Sequence, residues 1–430
     1  MYKHNARPTQ GNTNDKRFSG TGKLTAKFAA KFITLVLSCT LAALTASTAS
    51  AEEGVTESVI RVGGVMDLKG DSRGLGEGMR HGIEAAFKGV TVKGRHLKFT
   101  PLNDNYSPPK TIESTVKLLD EGVFVMLGNV GTPTAKVSLP ILAERKVPAV
   151  GFFTGAGLLR PGVGDIINFR ASYVQETAAV ISSALHSGLE PTQICAFVQN
   201  DAYGMAGVAG IKSALSGRPG AEAIIPLLDE IMAMDGDNPP RNNVGPVGVY
   251  QRNTLYSRDG YASLKNWEAT SGNKCKLVVS VGTYTAIARF TAYARNKGDD
   301  WMVSAVSFTG ADNFRSALNN FDVKNRVIMT QVVPPLDSNL PIVTEARKAL
   351  GDQFGYVSLE GYIVGKLFIA AVENIDGPVT RENFLKAVRG KKFDLGGLKM
   401  DFTNDNQGSD MVALTYLNED GYRPLLSSDW

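Results

Sequence analysis

Residues 70–74 of this 430-residue chain read Gly-Asp-Ser-Arg-Gly. This G-x-S-x-G spacing can place a nucleophilic serine at a sharp turn between a strand and a helix, and the apolar run IRVGGV precedes it. A hydrolase also needs a histidine base and an oxyanion loop from an earlier strand. Here the strand is the first after residue 51, and we expect further glycines to delay the helix. The candidate bases stand in no recognisable catalytic setting; they are His81, His96 and His186. A secreted serine hydrolase that uses Ser72 is therefore an alternative only, and we assign no catalytic residue.

Other spacings that would indicate cofactor or metal chemistry do not occur. The glycines after the first strand fail to reproduce G-x-G-x-x-G because Met79 stands where the third glycine is needed. The sequence also has no G-K-[ST] phosphate loop, no H-E-x-x-H and no C-x-x-C. We therefore predict no cofactor and no dedicated metal site.

Residues 1–51 have the features of an export signal. Three lysines, at positions 23, 27 and 31, precede an uncharged stretch over residues 32–51 that closes with Ala49-Ser50-Ala51. We predict a signal peptide over residues 1–51 that is cleaved after Ala51, so that the mature protein is exported. An uncleaved anchor is disfavoured, because the densely apolar part, residues 32–44, is shorter than the roughly 20 residues that a bilayer requires. Lipid attachment at Cys39 remains open.

The remaining cysteines, Cys195 and Cys275, lie in a compartment that permits disulfides. Cys195 is inside the apolar run ICAFV, and Cys275 just precedes KLVVSV. The two could form a disulfide if these strands are neighbours, but a cysteine inside a strand is more often a small buried apolar residue. The pairing stays open.

Charge excludes one class of partner. Seven of the 46 Lys and Arg residues, but only one of the 42 Asp and Glu residues, lie within residues 1–51. The mature chain therefore carries 39 basic and 41 acidic residues and is close to neutral. Since binding to phosphate backbones depends on positive charge, nucleic acid is not an expected partner. With 43% hydrophobic residues, the chain can form two or three buried cores.

Short aliphatic runs alternate with amphipathic segments from residue 59 onward. In the first half, IRVGGV, LKFTPL, VFVML and VPAVGFF are separated by predicted helices, and Met79, Ile83 and Phe87 share one helical face. Strands joined by helices predict a parallel sheet with both faces covered. The second half repeats this pattern with ICAFV, AEAIIPL, LVVSV and MVSAV. We therefore predict an α/β protein with two lobes.

The domain boundaries follow from this alternation. We expect lobe 1 over residues 58–172, with residues 334–404 returning to it, and lobe 2 over residues 173–332, with residues 411–430 returning to it. Residues 229–256 have no clear period and contain Pro239-Pro240, so we interpret them as a surface insertion in lobe 2. The C-terminal segment alternates like antiparallel strands, and the repeated passages between the lobes predict a hinge.

Several segments, taken in order, resemble the periplasmic substrate-binding proteins of branched-chain amino acid type ABC transporters. They are IRVGGVMDLKGDSRGLGEGMRHGIEAA, LKFTPLNDNYSPPKT, GNVGTPTA, VPAVGFFTGAGLLR, INFRASYVQE, CAFVQNDAYGMAGVAGIKSAL, LVVSVGTYTAIARF and YVSLEGYIVGKLFIAAVE. The resemblance covers nearly everything after residue 58. It implies the type I periplasmic binding fold, in which each lobe has a mainly parallel sheet covered by helices, with three hinge crossings. It also implies a small-molecule ligand enclosed in the cleft and an inner-membrane permease as partner.

Candidate ligand contacts in lobe 1 follow two strands. Pro133 suits the first position of a helix, so Thr132 is predicted to be the N-cap, beside free N–H groups that attract an anion or a carbonyl group. The resemblance makes this the place that holds the ligand's carboxylate. It further implies contacts from Gly131, Thr154 and Gly155, and from Leu75 in the first loop. Alternatively, Thr132 only caps its own helix.

The resemblance implies four further contacts in lobe 2. They are Tyr203, Thr283, Tyr284 and Phe308. Amino acid binders carry an acidic residue after the strand that corresponds to MVSAV, whereas residues 307–310 here are Ser-Phe-Thr-Gly. An ammonium group buried without an anion is costly, so a zwitterionic amino acid fits poorly unless Glu360 takes that role. Leu75 and Phe308 favour a more apolar or aromatic carboxylate.

We therefore predict a monomeric, exported binding protein that captures a small organic ligand by closure of two lobes and performs no covalent chemistry. A protein that reports the ligand to a membrane receptor would use the same cleft. Neighbouring genes distinguish the two roles, since permease and ATPase genes indicate transport and a sensor kinase gene indicates signalling.

Overall fold

Residues 52–236 and 238–430 are described by a computed structural model of the protein. The predicted signal peptide, its cleavage position after Ala51 and the alternative lipid site at Cys39 lie outside the described residues.

Six strands form the first sheet, in the order β2-β3-β1-β4-β5-β6. They are β1 (Val59–Met66), β2 (Thr91–Val92), β3 (Arg95–Asn103), β4 (Val125–Leu127), β5 (Ala149–Val150) and β6 (Ile166–Ile167). Neighbours are parallel except for the edge pair β2 and β3. Three helices connect them, namely α1 (Arg73–Phe87), α2 (Pro108–Asp120) and α3 (Thr132–Glu144). Met79, Ile83 and Phe87 are buried on one face of α1, as their spacing predicts.

Seven strands form the second sheet, in the order β15-β14-β11-β10-β9-β7-β8. They are β7 (Ile194–Gln199), β8 (Val247–Tyr250), β9 (Leu277–Val281), β10 (Met302–Ala305), β11 (Val327–Gln331), β14 (Ala413–Asn418) and β15 (Gly421–Pro424). The helices of this part are α4 (Tyr173–His186), α5 (Ala202–Leu215), α6 (Ile225–Ala233), α7 (Arg258–Ser271), α8 (Tyr284–Asn296) and α9 (Ala311–Asn319). Within this sheet only the pairs β11–β14 and β14–β15 are antiparallel, and β14 and β15 are the closing strands that the C-terminal alternation predicts.

Two expectations for the second half are wrong. The run AEAIIPL is not a strand, because helix α6 begins within it at Ile225, with Pro226 in its first turn, and buries Leu228 and Ile231 on one side. The predicted surface insertion over residues 229–256 instead contains strand β8, which pairs in parallel with β7 and whose four residues are all buried. The run VGVY is too short to show a period, so its pairing with β7 could not be seen in the sequence.

The late helices return to the first sheet. They are α10 (Pro341–Leu350), α11 (Tyr356–Glu373) and α12 (Arg381–Val388), followed by the separate hairpin of β12 (Lys392–Leu395) and β13 (Leu398–Asp401). Helix α11 packs closely on α1 because both carry glycines at the contact. A Cβ on Gly82 would lie 2.2 Å from the carbonyl oxygen of Ser358, and a Cβ on Gly361 would lie 2.5 Å from that of Met79.

The first sheet with α1–α3 and α10–α12 forms lobe 1, and the second sheet with α4–α9 forms lobe 2. The chain passes between them at residues 168–172, 332–340 and 402–412. Backbone hydrogen bonds join two of these crossings, since the Asn168 N–H donates to the Asn406 carbonyl (2.7 Å) and the Gly408 N–H donates to the Asn168 carbonyl (2.9 Å). The two mainly parallel, helix-covered sheets and their crossings confirm the predicted fold class.

A disulfide joins Cys195 of β7 to Cys275, which precedes β9, with their Cα atoms 5.7 Å apart. The two strands are parallel neighbours in the second sheet. The bond lies at their amino-terminal ends, the opposite edge from the loops that face lobe 1.

Candidate functional site

The carboxyl ends of the parallel strands of both sheets face one cleft between the lobes. In open α/β sheets this edge is where ligands bind, because helix N-termini and flexible loops meet there. The loops after β1, β4 and β5 form the lobe 1 side, and those after β7, β9 and β10 form the lobe 2 side. All nine residues that the sequence proposes as ligand contacts lie on these loops or on the first turn of the helix that follows, as described below.

Thr132 and Thr154 meet at the centre of the lobe 1 side. Their Oγ1 atoms are 2.7 Å apart, and both residues are fully buried. Gly131, with φ of 112°, is the N-cap of α3, so the prediction that Thr132 is the N-cap is wrong by one residue. The Thr132 hydroxyl therefore does not cap its own helix. It forms a hydroxyl pair with Thr154 at the positive end of α3.

Two glycines on this side allow tyrosine rings to approach the backbone. A Cβ on Gly131 would lie 2.4 Å from the ring of Tyr106, and a Cβ on Gly155 would lie 2.7 Å from the ring of Tyr173. Larger residues at either glycine would therefore displace a ring. Both tyrosines are fully buried, and neither was proposed from the sequence.

The loop after β1 is held together by one carboxylate. Asp67 accepts hydrogen bonds from the backbone N–H groups of Gly70 (2.6 Å) and Ser72 (3.0 Å). Helix α1 consequently begins at Arg73, directly after Ser72, and the expectation that glycines delay this helix is wrong. Leu75 lies on the first turn of α1 and is fully buried.

The candidate bases for Ser72 have other partners. His81 hydrogen-bonds to Arg80, His96 to Thr91 and His186 to Ser182. Within the described parts of the chain, no group of three or more His, Cys, Asp and Glu side chains could hold a metal ion.

Aromatic rings from both lobes pack around Phe308. Its ring centroid lies 4.7 Å from that of Tyr203, 5.2 Å from that of Phe153 and 6.2 Å from that of Tyr106. Tyr203 also packs against Tyr173, at 5.3 Å. The five rings, which we call the aromatic floor, form a continuous buried cluster shared by the lobes. Tyr203 is fully buried at the start of α5, so it does not pack on the surface.

A chain of hydrogen bonds connects the floor to Thr283. The Thr283 N–H donates to Tyr250 Oη (3.0 Å), and the Tyr250 hydroxyl donates to Gln199 Oε1 (3.2 Å). Gln199 then donates from Nε2 to Tyr106 Oη in lobe 1 (3.2 Å). Next to Thr283, Tyr284 Oη accepts from the Gly74 N–H at 3.4 Å, so this helix start also contacts lobe 1.

Three charged side chains lie beneath the aromatic floor. Arg170, in the first crossing, is fully buried between Glu176 of α4 and Glu360 of α11. Its Cζ atom lies 4.8 Å from the ring centroid of Phe153, so this ring contacts both the guanidinium and the ring of Phe308. Burial raises the pKa of Glu360 to about 7; the Arg170 charge opposes this rise and the Glu176 charge adds to it.

At the mouth of the cleft, a groove of about 800 Å³ separates α2 and α3 of lobe 1 from α5 and the segment after α6 in lobe 2. Pro108, Pro133 and Lys136 line one wall, and Met205 and Met232 line the other. The groove borders Pro133, the residue after Thr132, but neither Thr132 nor Thr154 lines it. Of the helices over residues 52–236 and 238–430, none is both long and apolar enough to cross a membrane.

A family of periplasmic binding proteins matches residues 59–221. No curated protein matches the chain in sequence. The structure is similar to that of a possible leucine/isoleucine/valine-binding protein from Rhodopirellula baltica SH 1, with a TM-score of 0.75 and 34% identity over 87% of this chain and 98% of the other.

Two further solved structures share the fold at 15% identity. One is a branched-chain amino acid ABC transporter protein from Thermus thermophilus with bound valine, with a TM-score of 0.68 over 86% of this chain and 96% of the other. The second is an ABC transporter solute-binding protein from R. palustris in complex with 4-hydroxybenzoate, with a TM-score of 0.67 over 85% and 96%. At this identity the likeness shows the fold alone.

Proposed function

The chain belongs to the periplasmic binding proteins of branched-chain amino acid type, with the type I fold, and on that premise we propose that it captures a small organic carboxylate between its lobes for an ABC permease. The members of this family bind substrates and deliver them. We propose the same role here, without covalent chemistry, for the exported protein in the periplasm.

The pairing of Thr132 with Thr154, which directly follows Phe153 of the aromatic floor, is the observation that carries this proposal. Two buried hydroxyl groups at the positive end of α3 can donate to a carboxylate, whose charge the helix N-terminus also stabilises. The rings of Phe308, Tyr203 and Phe153 offer an apolar surface to the rest of the ligand. This combination favours an acid with an aromatic or branched aliphatic body.

A zwitterionic amino acid is less well matched. The loop after β10 contributes Ser307 and Phe308, and the Ser307 N–H and hydroxyl both donate to Glu176 rather than to the cleft. Glu360 lies beneath Phe153, next to Arg170. An α-ammonium group beside Phe308 would therefore lack a carboxylate partner in direct contact.

A thermal-shift screen tests the ligand class. A ligand at 1,000 times its dissociation constant stabilises the folded state by about 4 kcal/mol. We expect 4-hydroxybenzoate, benzoate or 4-methylpentanoate to raise the melting temperature more than leucine or valine. If the two amino acids gave the largest shifts and the simple acids gave none, the proposed ligand class would be wrong.

Export and transport have separate tests. We expect the N-terminal sequence of protein purified from the periplasm to begin at Glu52. Deleting the gene is expected to lower cellular uptake of the radiolabelled acid found in the screen. Unchanged uptake, together with a neighbouring sensor kinase gene, would instead support a sensing role.

A further inference from the structure

The charged cluster beneath the aromatic floor spans both lobes. Glu360 belongs to α11 of lobe 1, Glu176 belongs to α4 of lobe 2, and Arg170 lies in the crossing between the lobes. The side chains of Arg170 and Glu176 are completely buried, and that of Glu360 is 3% exposed. A change in the angle between the lobes therefore alters the separation of charges that water screens little.

The two carboxylates have unequal partners. Glu176 accepts hydrogen bonds from the Ser307 N–H (2.7 Å), the Ser307 hydroxyl (3.0 Å) and the Thr330 hydroxyl, and it pairs with Arg170 Nη2 at 3.5 Å. Glu360 Oε1 lies 3.7 Å from Arg170 Nε, which is too far for a hydrogen bond. Neither of these two atoms has a hydrogen-bond partner within the described part of the chain. Hydrogen-bond donors therefore surround the carboxylate of Glu176, whereas Glu360 Oε1 has none among the described residues.

The surroundings of Glu360 do not supply another positive charge in contact. Besides Arg170 and Glu176, the charged group that faces it is Arg160, from the segment between β5 and β6. The Arg160 guanidinium donates hydrogen bonds to Gln407 Oε1 and to the carbonyl oxygens of Ala156 and Arg170. Beside Glu360 lies a cavity of about 10 Å³, which has room for one water-sized group. Its lining includes Phe153, Ser307, Gln331 and Val357.

Building on the proposed function, we propose that Glu360 is a proton-binding site, and that enclosing an anionic ligand above the aromatic floor favours the protonated carboxyl. With Glu360 ionised, the cluster holds two negative charges and one positive charge. A ligand carboxylate at the threonine pair adds another negative charge close to this cluster, because Thr154 directly follows Phe153, whose ring centroid lies 4.8 Å from Arg170 Cζ. Protonating Glu360 removes this repulsion, so ligand and proton assist each other's binding.

The elevated pKa of Glu360, about 7, places this coupling in an accessible pH range. At a protein-like dielectric, repulsion between like charges roughly 10 Å apart changes a binding constant by about a factor of ten. The affinity for the ligand should therefore fall about tenfold as pH rises from 6 to 9. In the Glu360→Gln variant, which mimics the neutral carboxyl, affinity should stay near the wild-type value at pH 6 throughout this range.

The first experiment needs no ligand. Glu360 titrates near 4.5 when unfolded and near 7 when folded, so the wild-type protein should lose stability as pH rises through that interval. Thermal unfolding of the wild type, E360Q and the control E268Q between pH 5 and 8 measures this. Glu268 is also buried, but it is remote from the cleft and accepts from the Cys275 N–H. E360Q should show no such loss of stability, whereas E268Q should lose stability with rising pH as the wild type does. Equal pH dependence in wild type and E360Q would overturn the proton site.

The second experiment is calorimetric titration of 4-hydroxybenzoate, benzoate and 4-methylpentanoate into the same three proteins at pH 6, 7, 8 and 9. Between pH 6 and 9, the ligand affinity of wild type and E268Q should fall about tenfold, and their binding should be accompanied by proton uptake. E360Q should show neither effect. If an acid binds and its affinity changes equally with pH in wild type and E360Q, the coupling is overturned but the proposed function stands. Failure of all three acids to bind any variant would refute the carboxylate ligand and hence the coupling to it, while the unfolding experiment would still decide the proton site.

Discussion

Phe153 and Phe308 come from different lobes, yet their ring centroids lie 5.2 Å apart. Phe153 follows β5 of the first sheet and Phe308 follows β10 of the second. The contact shows that the loops at the carboxyl ends of the two sheets form one surface. The Phe153 ring also contacts the Arg170 guanidinium, and Thr154 of the threonine pair directly follows Phe153 in the chain.

Removing the Phe308 ring should weaken ligand binding strongly. Because this ring contacts three other rings of the floor, Phe308→Ala should lower affinity at least tenfold and cost about 3–5 kcal/mol of unfolding free energy. Phe290→Ala is the control, since Phe290 stacks on Phe197 in the lobe 2 core at 3.8 Å. It should lower stability similarly but leave the affinity of the folded fraction unchanged in calorimetric titrations.

The threonine pair should contribute to both affinity and stability. Thr132→Val removes one hydroxyl and leaves Thr154 without its partner, at a cost of about 1–3 kcal/mol. We expect a clear loss of ligand affinity, which Thr132→Ser should largely restore. Thr291→Val offers a matched comparison, because the Thr291 hydroxyl bonds to the Ile287 carbonyl (2.8 Å) in α8, away from the cleft. If Thr132→Val, Thr132→Ser and Thr291→Val bound the ligand with equal affinity, the threonine pair would not be part of the binding site.

Two glycines separated by one residue, Gly155 and Gly157, test the close packing around the cleft. A Cβ on Gly155 would meet the ring and the backbone nitrogen of Tyr173 at 2.7 and 2.8 Å, whereas a Cβ on Gly157 would meet no atom within 4 Å. Gly155→Ala should therefore destabilise the protein by about 1–3 kcal/mol and weaken ligand binding, since overpacking displaces Tyr173. Gly157→Ala should change neither property. Chemical denaturation and calorimetry measure both, and a neutral Gly155→Ala would contradict the tight contact.

The disulfide should affect stability but not binding. Cys195 and Cys275 enclose a sequence separation of 80 residues, so breaking the bond should lower the unfolding free energy by about 2–4 kcal/mol. The bond lies at the edge of the sheet opposite the cleft, and a double Cys→Ala variant should therefore bind ligand normally. A large loss of affinity in the folded variant would show that this end of the sheet influences the cleft.

The sequence could predict the fold because its local patterns agree with the global arrangement. Uninterrupted apolar runs such as ICAFV and LVVSV are buried on both faces of a parallel sheet, and Met79, Ile83 and Phe87 mark the buried face of α1. The failures are short or ambiguous segments. Residues 221–227 are apolar without a decisive period, and β8 has only four residues.

The site could be predicted only where a motif follows a strand directly. Pro133 marks the helix start beside Thr132, and Thr154 follows the next predicted strand. Tyr106 and Tyr173 were missed because their roles depend on contacts with Gly131 and Gly155, from separate segments. The cluster of Arg170 with two glutamates is similarly invisible, since it joins three segments that are distant in sequence.

A crystal structure of the protein with the acid that gives the largest thermal shift is the most direct test of ligand capture between the lobes. We predict the unaltered acid in the cleft, with its carboxylate within hydrogen-bond distance of Thr132 or Thr154 and its apolar part against Phe308. An acid bound outside this cleft, or a chemically altered molecule within it, would contradict the account.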